Sequence, residues 1–386
     1  MKKWVALLAL LTAFPPLSTN MYLPAMPELA NQWQEPFWVI NLTLVLFFLI
    51  FSIFLLVYGP LSDRFGRRAV LQAGISIFIL ASIMCAFCQN VVSLIIVRMI
   101  QAAGAASAAA LALAITKDVF EDIQREKVLA YIAMVVAMSP MVGPVIGGWS
   151  LTLFSWQAIF IILAIMGLIG LMGVCRMPET LPVDERTARV ELFSGYLALL
   201  LNKRYIALTS LTTCSTIPLF AFVAASSEIY ISEYGLSPKA YGYFFGFNAL
   251  ALMAGSFTCI RIVKKVMSRN ILILGFMGIA LGGVWLYFGN NEGPWDLALP
   301  MSVMSFSLGL SRPPSHNLVL KQVQKGTGAA SSMLMFAMMT TGAGGMWFIS
   351  LGWSEVTNVL GLMGMCFASF GLVSWIMILK FSSRPW

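Results

Sequence analysis

Twelve long apolar segments, separated by short polar ones, run through this chain of 386 residues. Each is close to the ~20 residues that an α-helix needs to cross a hydrocarbon core of about 30 Å. Inside lipid only helices and closed barrels satisfy every backbone hydrogen bond, and long continuous apolar runs are typical of helices. The sequence therefore predicts an all-α integral membrane protein with twelve transmembrane helices, near residues 4–27, 37–58, 69–89, 91–115, 128–151, 156–176, 206–229, 240–262, 270–289, 296–317, 328–350 and 357–379.

The composition excludes a soluble protein. The chain is 59% hydrophobic and only 10% charged, whereas soluble domains carry about 25% charged residues. The six cysteines all fall in predicted spans, where we expect small hydrophobes rather than disulfides. Cys85 and Cys88 form a CxxC pair with no histidine nearby, so we expect no metal there. The first span begins like a signal peptide but lacks a cleavage site of small residues, and we expect it to stay as a helix.

The positive charges predict the orientation. The net charge is +8. If the N-terminus is cytoplasmic, every Lys and Arg falls in a cytoplasmic segment except Lys239, which is outside, and Arg98 and Arg312, which are within spans. This is a positive-inside pattern, and it places both termini in the cytoplasm. The basic balance therefore reflects a lipid bilayer as partner, and we expect no nucleic acid.

The longest polar break, at residues 178–204, divides the chain into two parts. Residues 1–177 hold six predicted spans and residues 205–386 hold the other six, so we expect two six-helix halves joined by a cytoplasmic linker. The second half repeats the first only weakly. Residues 261–269 occupy the place of residues 59–68, but they lack the Asp and the second Gly found there.

Residues 59–68 read Gly-Pro-Leu-Ser-Asp-Arg-Phe-Gly-Arg-Arg, and we expect a tight loop there between the second and third spans. This segment resembles the loop after the second helix of major facilitator superfamily transporters. The positions that carry the resemblance are Gly59, Asp63, Arg64, Gly66, Arg67 and Arg68.

The resemblance implies two pseudo-symmetric halves around a central cavity, and a conformational latch. In that latch, Asp63 lies at the positive end of the eleventh helix, and Arg64 or Arg67 pairs with Asp118. The alternative is a solvated loop that only fixes orientation.

Arg98 lies in the fourth span, in the run Arg98-Met-Ile-Gln101-Ala-Ala-Gly104. This resembles the family's motif of Arg, two residues, Gln-Gly, one residue, Gly, with Ala102 in place of the first Gly. A charge at the bilayer centre costs about 3 kcal/mol, so Arg98 must face protein or water. The resemblance implies a coupling or substrate site with Arg98 and Gln101. An arginine that only ties helices together is the open alternative.

The fifth span contains a motif that resembles one found chiefly in exporting branches of the family. Its characteristic positions are Gly143, Pro144, Gly147 and Gly148. Glycines let a neighbouring helix approach closely, and proline breaks one backbone hydrogen bond. The family's first two glycines are replaced by Ala130 and Ser139. A generic packing face of small residues is the alternative.

The first span reads Asn20-Met-Tyr22-Leu-Pro24-Ala-Met-Pro27. This resembles the Asp-Met-Tyr-Leu-Pro-Ala-Leu-Pro signature of Bcr/CflA-type drug-resistance transporters, within the drug:proton antiporters. Asn20 stands where the family has Asp. Asparagine can hydrogen-bond a substrate but cannot carry a proton, so the resemblance implies substrate contacts for Asn20 and Tyr22.

The change at Asn20 leaves no carboxylate deep in any predicted span. Glu228, late in the seventh span, comes closest. Arg98 and Arg312 meanwhile place positive charge in or near the expected cavity. This balance favours an anionic or neutral substrate, whereas the family resemblance favours a broad range of amphiphilic drugs.

His316 is the only histidine, and histidine titrates near neutral pH. It follows Pro313 and Pro314, where we expect the tenth helix to be disrupted as it nears the cytoplasm. Two roles stay open: a proton carrier in the transport site, or a structural cap at that helix end.

Together these patterns predict a monomeric transporter of the bacterial inner membrane that is not an enzyme. It would export a small molecule by alternating access, coupled to proton entry, and need no cofactor, because no nucleotide-binding loop is present. One alternative is a dedicated exporter of an endogenous anionic metabolite such as a polycarboxylate siderophore. Another is a membrane sensor that transports nothing.

Overall fold

The computed structural model describes residues 2–182, 184, 186, 194–290, 292–323 and 327–381. Residues 183, 185 and 187–193 of the predicted linker 178–204 lie outside this part. The chain separates into two compact units, Met1–Ser194 and Gly195–Trp386.

The first unit contains seven helices that form six spans. They are α1 (Lys2–Asn20), α2 (Met26–Trp33), α3 (Phe37–Phe65), α4 (Arg67–Ala86), α5 (Val91–Val119), α6 (Asp122–Leu153) and α7 (Trp156–Cys175). A single 3₁₀ turn, Leu23–Ala25, joins α1 to α2, and the two helices make one span. Tyr22 and Leu23, beside this turn, are fully buried.

The second unit contains another seven helices. They are α8 (Ser194–Leu201), α9 (Lys203–Ser227), α10 (Pro238–Ile262), α11 (Ser268–Phe288), α12 (Pro294–Leu320), α13 (Thr327–Ile349) and α14 (Val356–Phe381). A π-helical segment, Glu228–Glu233, continues α9. Eleven described segments across the two units are long and apolar enough to cross a membrane. Helix α12 has 27 residues, a sufficient length, but is more polar.

The prediction of a loop at residues 59–68 was wrong for most of these residues. Helix α3 continues through Pro60 to Phe65, and α4 begins at Arg67. Only Gly66 interrupts the helices, with φ at +91°. Charged residues after the apolar run do not by themselves end α3. A residue with a positive φ does end it, and glycine adopts a positive φ without a steric penalty.

The expected disruption before His316 was also wrong. Helix α12 runs through Pro313 and Pro314 to Leu320. Pro313 cannot donate to the carbonyl of Gly309, four residues earlier. That carbonyl instead accepts a hydrogen bond of 3.2 Å from the Ser256 hydroxyl of α10. A neighbouring helix thus restores the bond that proline removes, and the helix continues.

Candidate functional site

Arg98 is the centre of the buried polar site in the first unit. It lies on α5 and its side chain is 0% exposed. Its Nη1 donates to the carbonyl of Ser18 at 2.9 Å and to Oε1 of Gln101 at 2.8 Å. The sequence thus correctly required acceptors for this buried charge, and they come from α1 and from the next turn of α5.

Three aromatic rings surround the guanidinium. Its carbon lies 4.5 Å from the ring centroid of Phe47, 4.7 Å from that of Tyr22 and 5.9 Å from that of Phe160. A desolvated guanidinium over ring faces is stabilised by about 2 kcal/mol or more in favourable cases. Sequence reasoning missed Phe47 and Phe160, because ordinary apolar residues in a span carry no signal of such contacts.

The site leaves part of this charge uncompensated. Nε and Nη2 of Arg98 are buried and have no hydrogen-bond partner among the described residues. None of the ion pairs in that part of the chain involves Arg98. The first unit therefore holds a cation that is balanced by rings and neutral oxygens rather than by a carboxylate.

A short polar chain extends from Arg98. Gln101, which accepts from Arg98, in turn donates through Nε2 to the Ser82 hydroxyl at 2.8 Å. The Tyr22 hydroxyl accepts from Thr43 at 3.1 Å. Helices α1, α3, α4, α5 and α7 thus all contribute to one arrangement, and Arg98, Gln101 and Tyr22 are brought together as a group.

Asn20 ends α1 next to this group. It is 6% exposed, and its amide nitrogen donates to the carbonyl of Pro16 at 2.6 Å. The glycines of α6 fit closely here: a β-carbon on Gly143 would lie 2.7 Å from that of Asn20, and one on Gly147 would overlap the carbonyl oxygen of Met21. The exporter-type glycines therefore let α6 pack directly on the break in the first span.

The other two residues of the α6 motif have less specific surroundings. Pro144 is buried inside α6. The carbonyl of Gly148 accepts from the Thr152 hydroxyl at 2.9 Å.

Arg67 is the centre of a second cluster, at the junction of α3 and α4. Its Nη1 lies 2.5 Å from Oδ1 of Asp63, and its Nε lies 3.0 Å from Oδ2 of Asp118 on α5. Nη1 also donates to the Ser62 hydroxyl at 2.6 Å. Of the two arginines expected to meet Asp118, Arg67 makes the contact.

Arg64 and Arg68 have other partners. The Arg64 guanidinium lies 5.0 Å from the ring centroid of Phe65. Arg68 donates through Nη2 to the carbonyl of Cys175 at 2.6 Å, which joins α4 to the end of α7. Gly59 lies inside α3, and a β-carbon there would meet nothing within 4 Å.

Glu179 completes this cluster, and sequence reasoning missed it. Its carboxylate accepts from the backbone nitrogens of Arg67 at 2.8 Å and Arg68 at 3.2 Å. These two N–H groups lie in the first turn of α4, where the helix itself offers them no acceptor. A carboxylate there accepts their hydrogen bonds and is stabilised by the positive end of the helix dipole. A β-carbon on Gly66 would lie 2.5 Å from Oε2 of Glu179, so the glycine also makes room for this cap.

The remaining predicted site residues belong to the second unit. Glu228 begins the π-helical segment and is half-buried. Arg312 and His316 lie one turn apart on α12, and both are half-buried. Nε2 of His316 is buried without a hydrogen-bond partner in the described part of the chain. π-helical turns are frequent at functional sites, and neither composition nor spacing predicted this one.

A family model described as the Major Facilitator Superfamily matches residues 8–349. The chain belongs to this superfamily. The MFS-type transporter YdgK of Bacillus subtilis, itself uncharacterized, is 30% identical over 85% of this chain and 83% of its own. The bicyclomycin resistance protein homolog of Haemophilus influenzae is 28% identical over 94% and 93%. The multidrug transporter MdfA of Escherichia coli O157:H7 is 29% identical over 84% and 82%.

Solved structures agree on the fold of this superfamily member. A D-xylose–proton symporter gives a TM-score of 0.77 at 15% identity and covers 98% of this chain and 97% of its own. A bacterial homologue of the lysosomal transporter Spinster gives 0.77 at 11% identity, covering 99% and 98%. The predicted all-α fold with twelve transmembrane helices is confirmed, and so is the resemblance to drug-resistance transporters of the superfamily. The chain is a multi-pass membrane transporter and not an enzyme.

Proposed function

We propose that this transporter exports a small molecule by alternating access and that proton entry drives the export. Relatives named for bicyclomycin resistance and multidrug transport cover 94% and 84% of the chain. A membrane transporter protects a cell from a drug most directly by lowering its internal concentration. Export is therefore the direction that these relationships favour.

The structural observation that carries the proposal is the uncompensated charge of Arg98. An ionisable group inside the membrane is costly, and it indicates function by default. Here Nε and Nη2 of Arg98 have no hydrogen-bond partner among the described residues, beside the break in the first span. A ligand or proton that shifts the transporter between two states must bind one state more tightly than the other. The unused N–H donors of Arg98 are groups that a substrate could bind in one state and not in the other.

We further propose that the substrate is neutral or anionic. Asn20 cannot supply the negative charge that a cationic drug needs, and no carboxylate pairs with Arg98 in the described residues. Arg312 is half-buried, and its guanidinium makes no ion pair among the described residues. An arginine fork matches a carboxylate with two hydrogen bonds. This favours, as a second candidate, a dedicated exporter of an anionic metabolite such as a polycarboxylate siderophore.

Transport in inside-out membrane vesicles tests the export proposal. Vesicles with the transporter should accumulate a chloramphenicol-like drug when respiration acidifies their lumen, and a protonophore should abolish the accumulation. Vesicles without the transporter are the control. Accumulation that survives the protonophore would contradict proton coupling. Binding without any flux for neutral, anionic and cationic probes would favour the transport-inactive sensor.

We also propose that the transporter is a monomer in the bacterial inner membrane with both termini in the cytoplasm. The distribution of Lys and Arg supports this orientation. In a cysteine-free background, a cysteine at position 239 should react with an impermeant reagent in intact cells, and one at position 184 should not. Labelling of position 184 from outside would overturn the orientation.

A further inference from the structure

Four exposed positive charges lie where α10 leads into α11. Arg261 is in the last turn of α10, Lys264 and Lys265 lie between the helices, and Arg269 is in the first turn of α11. We call these four residues the basic turn. None of the four side chains makes an ion pair or hydrogen bond with another described residue. The corresponding cluster of the first unit differs, because there Asp63 and Asp118 neutralise Arg67.

The basic turn packs against the second unit through its apolar residues. Beneath it, Ile262 and Val266 pack on a small core of Cys259, Ile271 and Leu310. The backbone nitrogen of Val266 donates to the carbonyl of Ile262 at 2.8 Å, which closes the turn. The apolar side of the turn is therefore held against the second unit, while its cations remain on the exposed side.

Two apolar side chains are exposed among these cations. Met267 is 64% exposed and Val263 is 44% exposed. Both lie between the ends of two spanning helices, so the segment adjoins the bilayer. Cations next to exposed apolar groups match the boundary where lipid phosphates meet acyl chains. Orientation by positive charge alone would not require the exposed Met267 and Val263.

We propose that the basic turn binds the phosphate headgroups of anionic phospholipids in the surrounding membrane, with Met267 and Val263 against the first part of the acyl chains. Charge complementarity identifies the occupant. Clusters of four or more Lys and Arg immediately beside a transmembrane helix attract anionic lipids, and the attraction adds up over the residues of the cluster. This inference does not depend on the transported substrate.

Lipid binding by the full-length transporter tests the proposal. The purified protein in uncharged detergent is given phosphatidylglycerol or phosphatidylcholine, and bound lipids are counted by native mass spectrometry. We expect the wild type to retain phosphatidylglycerol preferentially. K264Q/K265Q should weaken this retention by roughly 10- to 30-fold. K264R/K265R, which keeps the charge, should retain it.

The matched control is K117Q/K127Q. It removes two exposed lysines from the first unit, where Asp118, Glu121 and Glu126 lie alongside in the sequence, and it should leave phosphatidylglycerol binding unchanged. Equal loss in both double variants, or equal binding of the two lipids by the wild type, would overturn the proposal. The proposal would also be overturned if millimolar inorganic phosphate displaced bound phosphatidylglycerol as effectively as added phosphatidylglycerol does. The site would then recognise a free anion.

Discussion

The carboxylate of Glu179 lies 2.8 Å from the backbone nitrogen of Arg67, although 112 positions separate the two residues. This contact joins the segment that follows the sixth span to the start of the third. It holds in place the backbone from which Arg67 reaches Asp63 and Asp118.

Replacing Glu179 should therefore destabilise the first unit. Loss of a helix N-cap costs about 1 kcal/mol, and an acidic group at this end also gains from the helix dipole. We expect Glu179→Ala to lower the apparent melting temperature of the purified transporter. Glu126→Ala, which removes an exposed carboxylate of α6, is the control and should leave it unchanged. Equal melting temperatures for the two variants would contradict the cap.

Asp63→Asn should insert into the membrane but export poorly. The change keeps the size of the side chain and removes the charge that pairs with Arg67 at 2.5 Å. If Asp63 also acts in the conformational latch that the sequence resemblance implies, inward-facing states of the variant should become more populated. Arg64→Gln is the control, since the Arg64 guanidinium lies over the ring of Phe65 and makes no ion pair among the described residues. Normal export per molecule by Asp63→Asn would refute the latch.

Arg98→Met separates a coupling role from that of a helix tie. Methionine, of similar volume, removes the cost of burying a charge with no carboxylate partner, which offsets the loss of the hydrogen bonds to Ser18 and Gln101. We expect normal abundance, an unchanged or higher melting temperature, and loss of proton-driven export. A lower melting temperature with unchanged export per molecule would support the helix tie. Both quantities come from one purified and reconstituted sample.

Gly147→Ala should disturb the packing of α6 on the first span. The added methyl would overlap the carbonyl oxygen of Met21, and overpacking typically costs about 1–3 kcal/mol. Gly344→Ala in α13 is the matched control, because nothing lies within 4 Å of its new methyl. Alanine there should even favour the helix by about 1 kcal/mol. Equal thermal stability of the two variants would show that α6 yields easily at Gly147.

Asn20→Asp should shift the substrate preference toward lipophilic cations such as ethidium. The change restores the acidic group of the Bcr/CflA-type signature and removes the donor that now bonds to the Pro16 carbonyl. Asn31→Asp adds the same charge on an exposed part of α2 and should change nothing. The readout is vesicle transport of size-matched cations and anions. Strong cation transport by the unmodified protein would overturn the expected preference. The acidic group to test would then be Glu228, or Glu28 in the first turn of α2.

Sequence reasoning reached the spans and the need to satisfy Arg98, because length, hydropathy and the cost of a buried charge are local properties. It failed at residues 59–65, where the charged residues and the glycines were interpreted as a loop. Only Gly66 has the left-handed backbone that ends a helix there. It failed again at Pro313, since the Ser256 hydroxyl that compensates this proline belongs to another helix.

The site residues that were not predicted make their contacts across long sequence separations. Glu179 reads as an ordinary polar residue after the sixth span, and Phe47 and Phe160 read as ordinary apolar residues. Their positions against α4 and Arg98 depend on how the helices pack. The π-helical turn at Glu228 is set by backbone geometry that neither composition nor spacing reveals.

The charge of Arg98 would also couple the transport cycle to the membrane potential wherever this residue moves along the bilayer normal. Arginine stays charged in proteins, and no carboxylate in the described residues travels with it as a neutral pair. One elementary charge that crosses the whole membrane field exchanges about 2.3 kcal/mol per 100 mV. A step of the cycle that displaced Arg98 along the bilayer normal would therefore move charge, and the resting potential of the cell would bias that step even when no substrate is bound.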